Sequence, residues 1–348
     1  MKKTALVAMS GGVDSSVAAL LLQEAGYACT GATMKLFTKD PERHDDAEDA
    51  RQIAERLHIP FHICDFSEFF ADDVIGCFIN SYMDGATPNP CVDCNRQLKF
   101  GQLLQKAAEL GCDYLATGHY ARVEYSAAKQ RFLLRKAADP AKDQSYVLFS
   151  LTQEQLRHVI FPLGAYSKPE IRKIAEAHGF ANAAKHDSQD ICFIPDGDYC
   201  KFIEEYTGRT FPPGNFVDED GNVLGRHKGI IRYTVGQRKG LGLALPQPMY
   251  VKEIDPASNT VVLTTNSGLF SRTVIADNIN LIDCDRITEP RRVKARIRYH
   301  QQEQWATVTQ PEDDRLEIIF DEPQRAITKG QAVVMYDGEY VVGGGKII

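Results

Sequence analysis

The stretch Thr4-Ala-Leu-Val-Ala-Met-Ser-Gly-Gly-Val-Asp-Ser-Ser16 decides how the first half of this chain folds. The apolar run ending at Met9 reads as a strand and Gly11-Gly12 as a tight turn. Val13–Glu24 then reads as a helix with Asp14, Ser15 and Ser16 in its first turn. The first amides of a helix have no partner inside it, so here they face an anion. Glycine lets the backbone close around phosphate oxygens where a side chain would block it. Ser10, Ser15 and Ser16 add hydroxyl donors, while Asp14 repels phosphate unless a cation such as Mg²⁺ stands between them. The stretch lacks both the Gly-Lys-Ser/Thr ending of a Walker A loop and the G-x-G-x-x-G spacing of a dinucleotide site. A plain glycine turn whose Ser or Asp merely caps the helix is the remaining alternative.

Outward from this loop, strand and helix patterns alternate through Ala28–Leu36, Asp46–Leu57 and Ile59–Cys64, with a further buried strand at Asp113–Thr117 after a helical stretch at Arg96–Leu110. This is the rhythm of an α/β domain with a parallel sheet. Ligands of such sheets sit beyond the carboxyl ends of the strands, which groups Ala8–Ser16, Met34–Phe37 and Gly118–His119 as walls of one nucleotide site. Ser167–Gly179 and Asp198–Tyr206 read as helices, and Arg209-Thr-Phe-Pro-Pro-Gly214 as a boundary. Beyond it helical periodicity gives way to alternation, so the expected order is an α/β domain over 1–208 and two small all-β, barrel-like domains over 209–276 and 277–348.

The chain of 348 residues is 43% hydrophobic and 25% charged, with net charge −7. That is the composition of a water-soluble globular protein, and no apolar run is long enough for a membrane span. Lys2-Lys3 before Thr4–Met9 imitates a signal peptide, but Gly11-Gly12 and Asp14 interrupt it, so a cytoplasmic location is expected. Nine cysteines fit reduced thiols, one or two of them chemically special. The net negative charge argues weakly against nucleic acid, yet two basic stretches point toward it. One holds Arg226, Lys228, Arg232, Arg238 and Lys239 without an acid among them. In the other, Val293–His300, alternation puts Val293, Ala295, Ile297 and Tyr299 on one strand face and Lys294, Arg296, Arg298 and His300 on the other. Such a cationic row suits an RNA backbone.

In Thr87-Pro-Asn-Pro-Cys-Val-Asp-Cys-Asn-Arg-Gln-Leu-Lys-Phe100 a proline-stiffened loop runs into a helix, with Cys94 expected at its start. Helix-end amides, Arg96 and Lys99 lower the expected pKa of Cys94, and Asp93 opposes them, for a net depression. Cys91-x-x-Cys94 reads as a redox dithiol, half a zinc knuckle or two ligands of an iron–sulfur cluster. Cys192, distant in sequence, could join them; Cys29, Cys64, Cys77, Cys112 and Cys284 read as small apolar residues.

Ser10–Ser16 resembles the pyrophosphate-binding loop of the ATP pyrophosphatases, which adenylate a substrate. Together with Thr87–Phe100, Ala116–Ala121, Lys142–Tyr146, Lys185–Ile194, His227–Gly242, Arg298-Tyr299, Glu322–Ala326 and Gly343–Gly345, it makes the whole chain similar to the bacterial tRNA-specific 2-thiouridylases. The resemblance implies an adenine nucleotide α-hydrolase-like domain in which ATP, with Mg²⁺, adenylates O2 of the wobble uridine of tRNA and a persulfide sulfur then displaces AMP. It implies ATP binding by Ala8, Met9, Ser10, Gly11, Gly12, Val13, Asp14, Ser15, Met34 and Gly118. It implies catalysis by Cys94 as nucleophile, Cys192 as persulfide carrier and Asp14. Asn89, Pro90 and Cys91 would face the target base, with tRNA contacts at His119, Lys142, Asp143, Gln144, Arg298, Tyr299 and Gln331. A sulfur-donor protein would supply the persulfide.

The chain departs from well-known members at Cys91, where they carry aspartate. Cys91, Cys94 and Cys192 could therefore hold a [4Fe–4S] cluster that delivers sulfide, and both sulfur routes stay open. Two rivals are an amidating or ligating ATP pyrophosphatase, which would not need the cysteines, and a non-enzymatic RNA-binding redox protein, which would release neither AMP nor pyrophosphate.

Overall fold

The computed structural model describes residues 2–37, 46–180, 182 and 191–348. The Lys185–Asp190 part of the motif ending at Ile194 lies outside them. The first unit is a parallel sheet of β1 (Thr4–Ala8), β2 (Ala28–Lys35), β3 (Phe61–Asp65), β4 (Tyr114–Ala116) and β7 (Val159–Ile160), in the order β3-β2-β1-β4-β7. The central strand β1 buries Ala5, Leu6 and Val7 because both of its faces are covered, whereas the edge strand β3 exposes His62, Ile63 and Asp65. Leu6 packs with Ala32 and Leu115 on one side, while Ala5 and Val7 meet Val17 and Ala18 of the Val13–Glu24 helix on the other. The chain builds outward from β1 through β2 to β3, then returns to place β4 on the other flank of β1. The gap between the ends of β1 and β4 is the topological switch point, where such sheets bind ligands.

The all-β half has the expected class. Strands β8 (Gly214–Val217), β9 (Val223–His227), β10 (Tyr250–Asp255) and β11 (Thr260–Thr264) form a sheet ordered β10-β11-β8-β9. The last unit runs through β12 (Phe270–Leu281), β13 (Arg291–Arg296), β14 (Gln304–Glu312), β15 (Arg315–Arg325), β16 (Ala332–Asp337) and β17 (Tyr340–Ile347), in the order β12-β15-β14-β13-β16-β17. Pairing of β12 with β17 closes it into a six-stranded barrel. A boundary at 276/277 would cut β12.

One hairpin was not expected. Strands β5 (Ala121–Ser126) and β6 (Arg131–Lys136) belong in sequence to the first unit, yet β6 pairs with β17 at Arg135↔Tyr340 and extends the barrel sheet. Leu134, Tyr146, Val334 and Tyr336 consequently share one core. Asp283 pins the junction: its buried carboxylate accepts from Arg291 (3.0 and 2.7 Å) and from Lys129 (2.8 Å) in the hairpin turn. These cations hold its carboxyl below the usual range despite burial. Asp283→Ala leaves Arg291 without its buried partner and should cost about 3–5 kcal/mol, read as a lowered urea midpoint at pH 7. Because the folded pKa is the lower one, the contribution is full above the unfolded value and fades as pH falls through the folded one. The gap between wild type and variant should therefore narrow on acidification.

No described helix is long and apolar enough to cross a membrane.

Candidate active site

The Ser10–Ser16 loop is braced by its own side chains. Gly11 has φ +68°, a left-handed conformation that suits glycine, and Gly12 is extended where the helix begins. The Ser15 and Ser16 hydroxyls each donate to the Gly12 carbonyl at 3.0 Å, and Ser15 Oγ accepts from the Ser10 amide at 3.2 Å. Asn182 Nδ2, a brace the sequence did not reveal, donates to Gly11 O and Ser16 Oγ, both at 3.0 Å. Gly118, beyond β4, meets the loop directly: a Cβ there would lie 2.9 Å from Ser15 N and 3.0 Å from the Asp14 carbonyl carbon. Ala8, Met9 and Val13 form the strand end and helix start beneath the loop, and half-buried Met34, next to last in β2, packs between two apolar clusters.

Asp14 has a cation already. Lys168 Nζ lies 2.8 Å from both carboxylate oxygens, and Tyr120 Oη donates to Oδ1 at 2.7 Å. The role that the sequence gave to Mg²⁺ alone is thus shared by a side chain 154 residues away. Mg²⁺ is commonly held by one or two carboxylates plus substrate phosphates, so Asp14 is the residue that would hold an ion arriving with the nucleotide, and that ion would neutralise phosphate charge.

The cysteine helix begins earlier than expected. An α-helical turn at Pro90–Asp93 leads into a π-helical stretch at Cys94–Gln102 and an α-helix at Leu103–Glu109. Asn89 Oδ1 accepts from Cys91 N at 3.2 Å, and Pro90 takes the first helical position, where its missing N–H costs nothing. Cys91 therefore occupies the first turn, and Cys94 follows it. The entering loop is clamped by the barrel, since Thr87 N donates to Lys329 O (2.8 Å) and Gln331 Nε2 donates to Thr87 O (2.8 Å) and Pro88 O (3.3 Å).

The expected depression of the Cys94 pKa is overturned. Cys91 is exposed and Cys94 half-buried, but protein atoms crowd both sulfurs, and burial pushes both thiols up; Lys99 opposes this, while Asp93 adds to it. Local charges alone were visible in sequence, whereas the crowding comes from other segments. Alkylation of Cys94 by iodoacetamide, followed by peptide mass spectrometry, should keep accelerating above about pH 8.5, the ordinary thiol value. Lys99→Gln should slow it further, and a plateau below pH 8 would contradict this environment.

Phe100 of the Cys94–Gln102 stretch packs on His119, just beyond β4, with ring centroids 5.8 Å apart, so the cysteine helix lies against the end of β4. His119 is buried between Phe100 and Phe161, with Nδ1 2.7 Å from Thr117 Oγ1, and burial holds its pKa well below the usual value. It is a neutral ring. Tyr299 feels Cys91 and donates to Asp143 O at 3.2 Å. Asp143 and Gln144 brace the site, the first by accepting from Ala137 N and Ser145, the second by accepting from Tyr120 N at 2.9 Å. Lys142 is half-buried beside them.

The cationic row is also corrected. Val293, Ala295 and Ile297 are buried as the alternation required, but β13 ends at Arg296. Arg296 turns inward to Tyr336 Oη and Asp143, and Arg298 donates to the Ala326 carbonyl; an internal carboxylate and carbonyl have captured two of the cations. Lys294 lies over the exposed Trp305.

Cys192 is exposed, next to Phe193, which packs on Phe70, Phe78 and Phe202. Cys94 and Phe193 border the same apolar core. Among the described residues no group of three His, Cys, Asp or Glu side chains is placed to hold a metal ion. Cys91, Cys94 and Cys192 are thus not arranged as cluster ligands. Cys77, read from the sequence as a small apolar residue, is exposed.

Three family models cover the chain: a tRNA methyl transferase HUP domain over residues 3–196, a tRNA methyl transferase PRC-barrel domain over 200–265, and an aminomethyltransferase β-barrel domain over 271–347. The tRNA-specific 2-thiouridylase MnmA of Clostridioides difficile is 48% identical over 355 residues, spanning 100% of this chain and 98% of its own. That of Acetivibrio thermocellus is 49% identical over 356 residues, spanning 99% of each. A 4-thiouridine synthetase solved with RNA and bound ATP overlaps 58% of this chain and 50% of its own, at 19% identity and a TM-score of 0.36. The full-length identities, over a chain whose residues 3–196 match a HUP domain model, place it in the family of tRNA-specific 2-thiouridylases, which are tRNA sulfurtransferases.

Proposed function

We propose that the chain adenylates O2 of the wobble uridine of tRNA and replaces that oxygen with sulfur. The convergence of the phosphate loop, Gly118-His119 and the cysteine helix at the β1/β4 switch point supports this most directly. Uridine O2 attacks the α-phosphorus of ATP, and pyrophosphate leaves. Oxygen bound to C2 is a poor leaving group until AMP is attached to it, after which a sulfur nucleophile can attack C2 and expel AMP. In this reading the Ser10–Ser16 loop orients the phosphates, with Asp14 the residue that would hold Mg²⁺. Asn89, Pro90 and Cys91 face the base. Cys192 carries the persulfide from a donor protein, and its terminal sulfur bonds to C2 as AMP leaves. Cys94 is the nucleophile that then attacks Cys192 Sγ, breaking the S–S bond to the uridine sulfur and leaving a Cys94–Cys192 disulfide as 2-thiouridine is released. Sulfur arrives in this reading as a persulfide and not from a cluster, in keeping with three thiols that are not arranged as cluster ligands. His119, Asp143, Gln144, Arg298, Tyr299 and Gln331 shape the tRNA-facing wall, several of them by bracing it.

The test combines protein, ATP, Mg²⁺, a persulfide source and unmodified tRNA, followed by digestion and mass spectrometry for 2-thiouridine. Absence of the thionucleoside, aerobically and anaerobically, would sink the reading. Cys192→Ser should block thiolation and spare pyrophosphate release.

A further inference from the structure

Arg296 stands where the barrel meets the first unit, and all three nitrogens of its guanidinium are engaged. Its side chain is only 12% exposed and lies between the rings of Tyr146 and Tyr336, 5.1 and 5.0 Å from their centroids. Nε and Nη2 donate to Tyr336 Oη at 3.1 and 2.7 Å, Nη1 donates to Tyr299 O at 3.3 Å, and Nη2 reaches Asp143 Oδ2 at 3.3 Å. A flat guanidinium serves these partners at once, which a single ammonium cannot do.

From Asp143 the bonds run toward the nucleotide. Asp143 Oδ1 accepts from Ala137 N (3.1 Å) and Ser145 N (3.2 Å), and Oδ2 accepts from Ser145 Oγ (2.8 Å), which fixes the turn that carries Gln144. Gln144 grips Tyr120 twice, since its Oε1 accepts from Tyr120 N and its own N donates to Tyr120 O, both at 2.9 Å. Tyr120, 2% exposed, donates to Asp14 Oδ1 at 2.7 Å. Three residues beyond Gln144, Val147 O accepts at 3.1 Å from Asn95 Nδ2, the neighbour of Cys94 in the chain. One short segment therefore touches the barrel, the cysteine helix and, through Tyr120, the phosphate loop. Its residues are buried or half-buried, where hydrogen bonds are less screened by water.

We infer that Arg296 is a positioning residue for adenylation: through Asp143, Gln144 and Tyr120 it sets Asp14 relative to the barrel and Tyr299, so that the ATP loop and the RNA-facing wall keep one register. The inference rests on the reading of Ser10–Ser16 as the ATP phosphate loop and of Tyr299 as part of the tRNA-facing wall. Uridine O2 arrives with the RNA and the α-phosphorus with ATP, so the reaction depends on how two surfaces from different units are held against each other. Misplacement of reacting groups by about 1 Å costs on the order of 100-fold in rate. Asp283 also ties the first unit to the barrel, but through Arg291 and Lys129, outside this path.

The test is quenched-flow measurement of pyrophosphate release by the full chain at saturating ATP and tRNA, with tRNA half-saturation measured alongside. Arg296→Met should slow release roughly 10-fold to 100-fold at saturation, and Arg296→Lys, which keeps a cation for Asp143, should recover part of the loss. Tyr120→Phe, which takes one hydrogen bond from a charged group, should slow release about 10-fold. Because residues that act through one another are not additive, the double variant should be slower than the slower single one by less than about 3-fold. Asp283→Ala should lower the urea midpoint and leave release unchanged. A raised tRNA half-saturation with a normal rate at saturation would overturn the inference and confine Arg296 to the RNA-facing wall. Multiplied effects in the double variant would break the path, and equal slowing by Asp283→Ala would show that any loosening of the border suffices; either result removes the role of Arg296. If Arg296→Met does not fold, Gln144→Leu, which leaves the Arg296–Asp143 pair in place, should slow release to a similar extent, and a normal rate there would also overturn the inference. Release by wild type with a normal rate in Arg296→Met removes only this role, whereas a wild type that releases no pyrophosphate removes the ATP reading of the loop with it.

Discussion

Cys94→Ser should abolish 2-thiouridine formation, by about 10³-fold or more, while tRNA and ATP still give a single burst of pyrophosphate. A hydroxyl in place of a thiol is a far weaker nucleophile at neutral pH, and loss of a covalent-catalysis nucleophile typically costs several orders of magnitude. The burst should survive because Cys94 lies on the helix beyond the Pro90–Asp93 turn, whereas the phosphate loop is held by Ser10, Ser15, Asn182 and Gly118. Quenched-flow measurement of pyrophosphate against thionucleoside separates the two steps. An enzyme that ligates or amidates would keep full turnover in this variant, and that result would remove the sulfur-transfer reading.

Gly118→Ala should weaken ATP binding by about 10-fold to 100-fold. The added methyl group would sit 2.9 Å from Ser15 N and 3.1 Å from Asp14 Cβ, contacts to backbone and a short side chain that cannot swing aside. Overpacking of this kind costs about 1–3 kcal/mol, and relief requires the loop to shift from the position its amides need. Gly76→Ala is the control, since its methyl meets nothing nearer than 3.6 Å and should leave ATP affinity unchanged. Equal affinities in the two variants, by equilibrium dialysis, would show that the Gly118 contact does not position the loop.

What sequence could show here follows from range. Thr4–Ala8 and Val13–Glu24 were legible because the signals are local: an apolar run, paired glycines, then helical spacing with polar residues in the first turn. Lys168 was not, because its partner Asp14 is 154 residues away and Ser167-Lys-Pro-Glu170 reads equally well as a surface helix start. The alternation in Val293–His300 gave the buried face correctly, but the fate of Arg296 depended on Asp143 and Tyr336, contributed by other segments. For Cys94 the visible charges pointed one way and the invisible crowding the other, and crowding won. The β5–β6 hairpin carries ordinary strand signals, Arg122-Val-Glu-Tyr125 and Arg131-Phe-Leu-Leu134; its destination in the barrel sheet was what no local pattern encoded.

That hairpin fixes an order of events during synthesis. Arg135 of β6 bonds to Glu339, 204 residues later, just before the strand that also closes the barrel. While the ribosome is making those intervening residues, β6 offers an unpaired edge, the kind of surface on which nascent chains associate with one another. The nucleotide domain can fold early, but its border with the barrel is sealed only when β17 emerges. Slowed translation between residues 136 and 340 should therefore raise the yield of aggregated chain more than the same delay placed before residue 121.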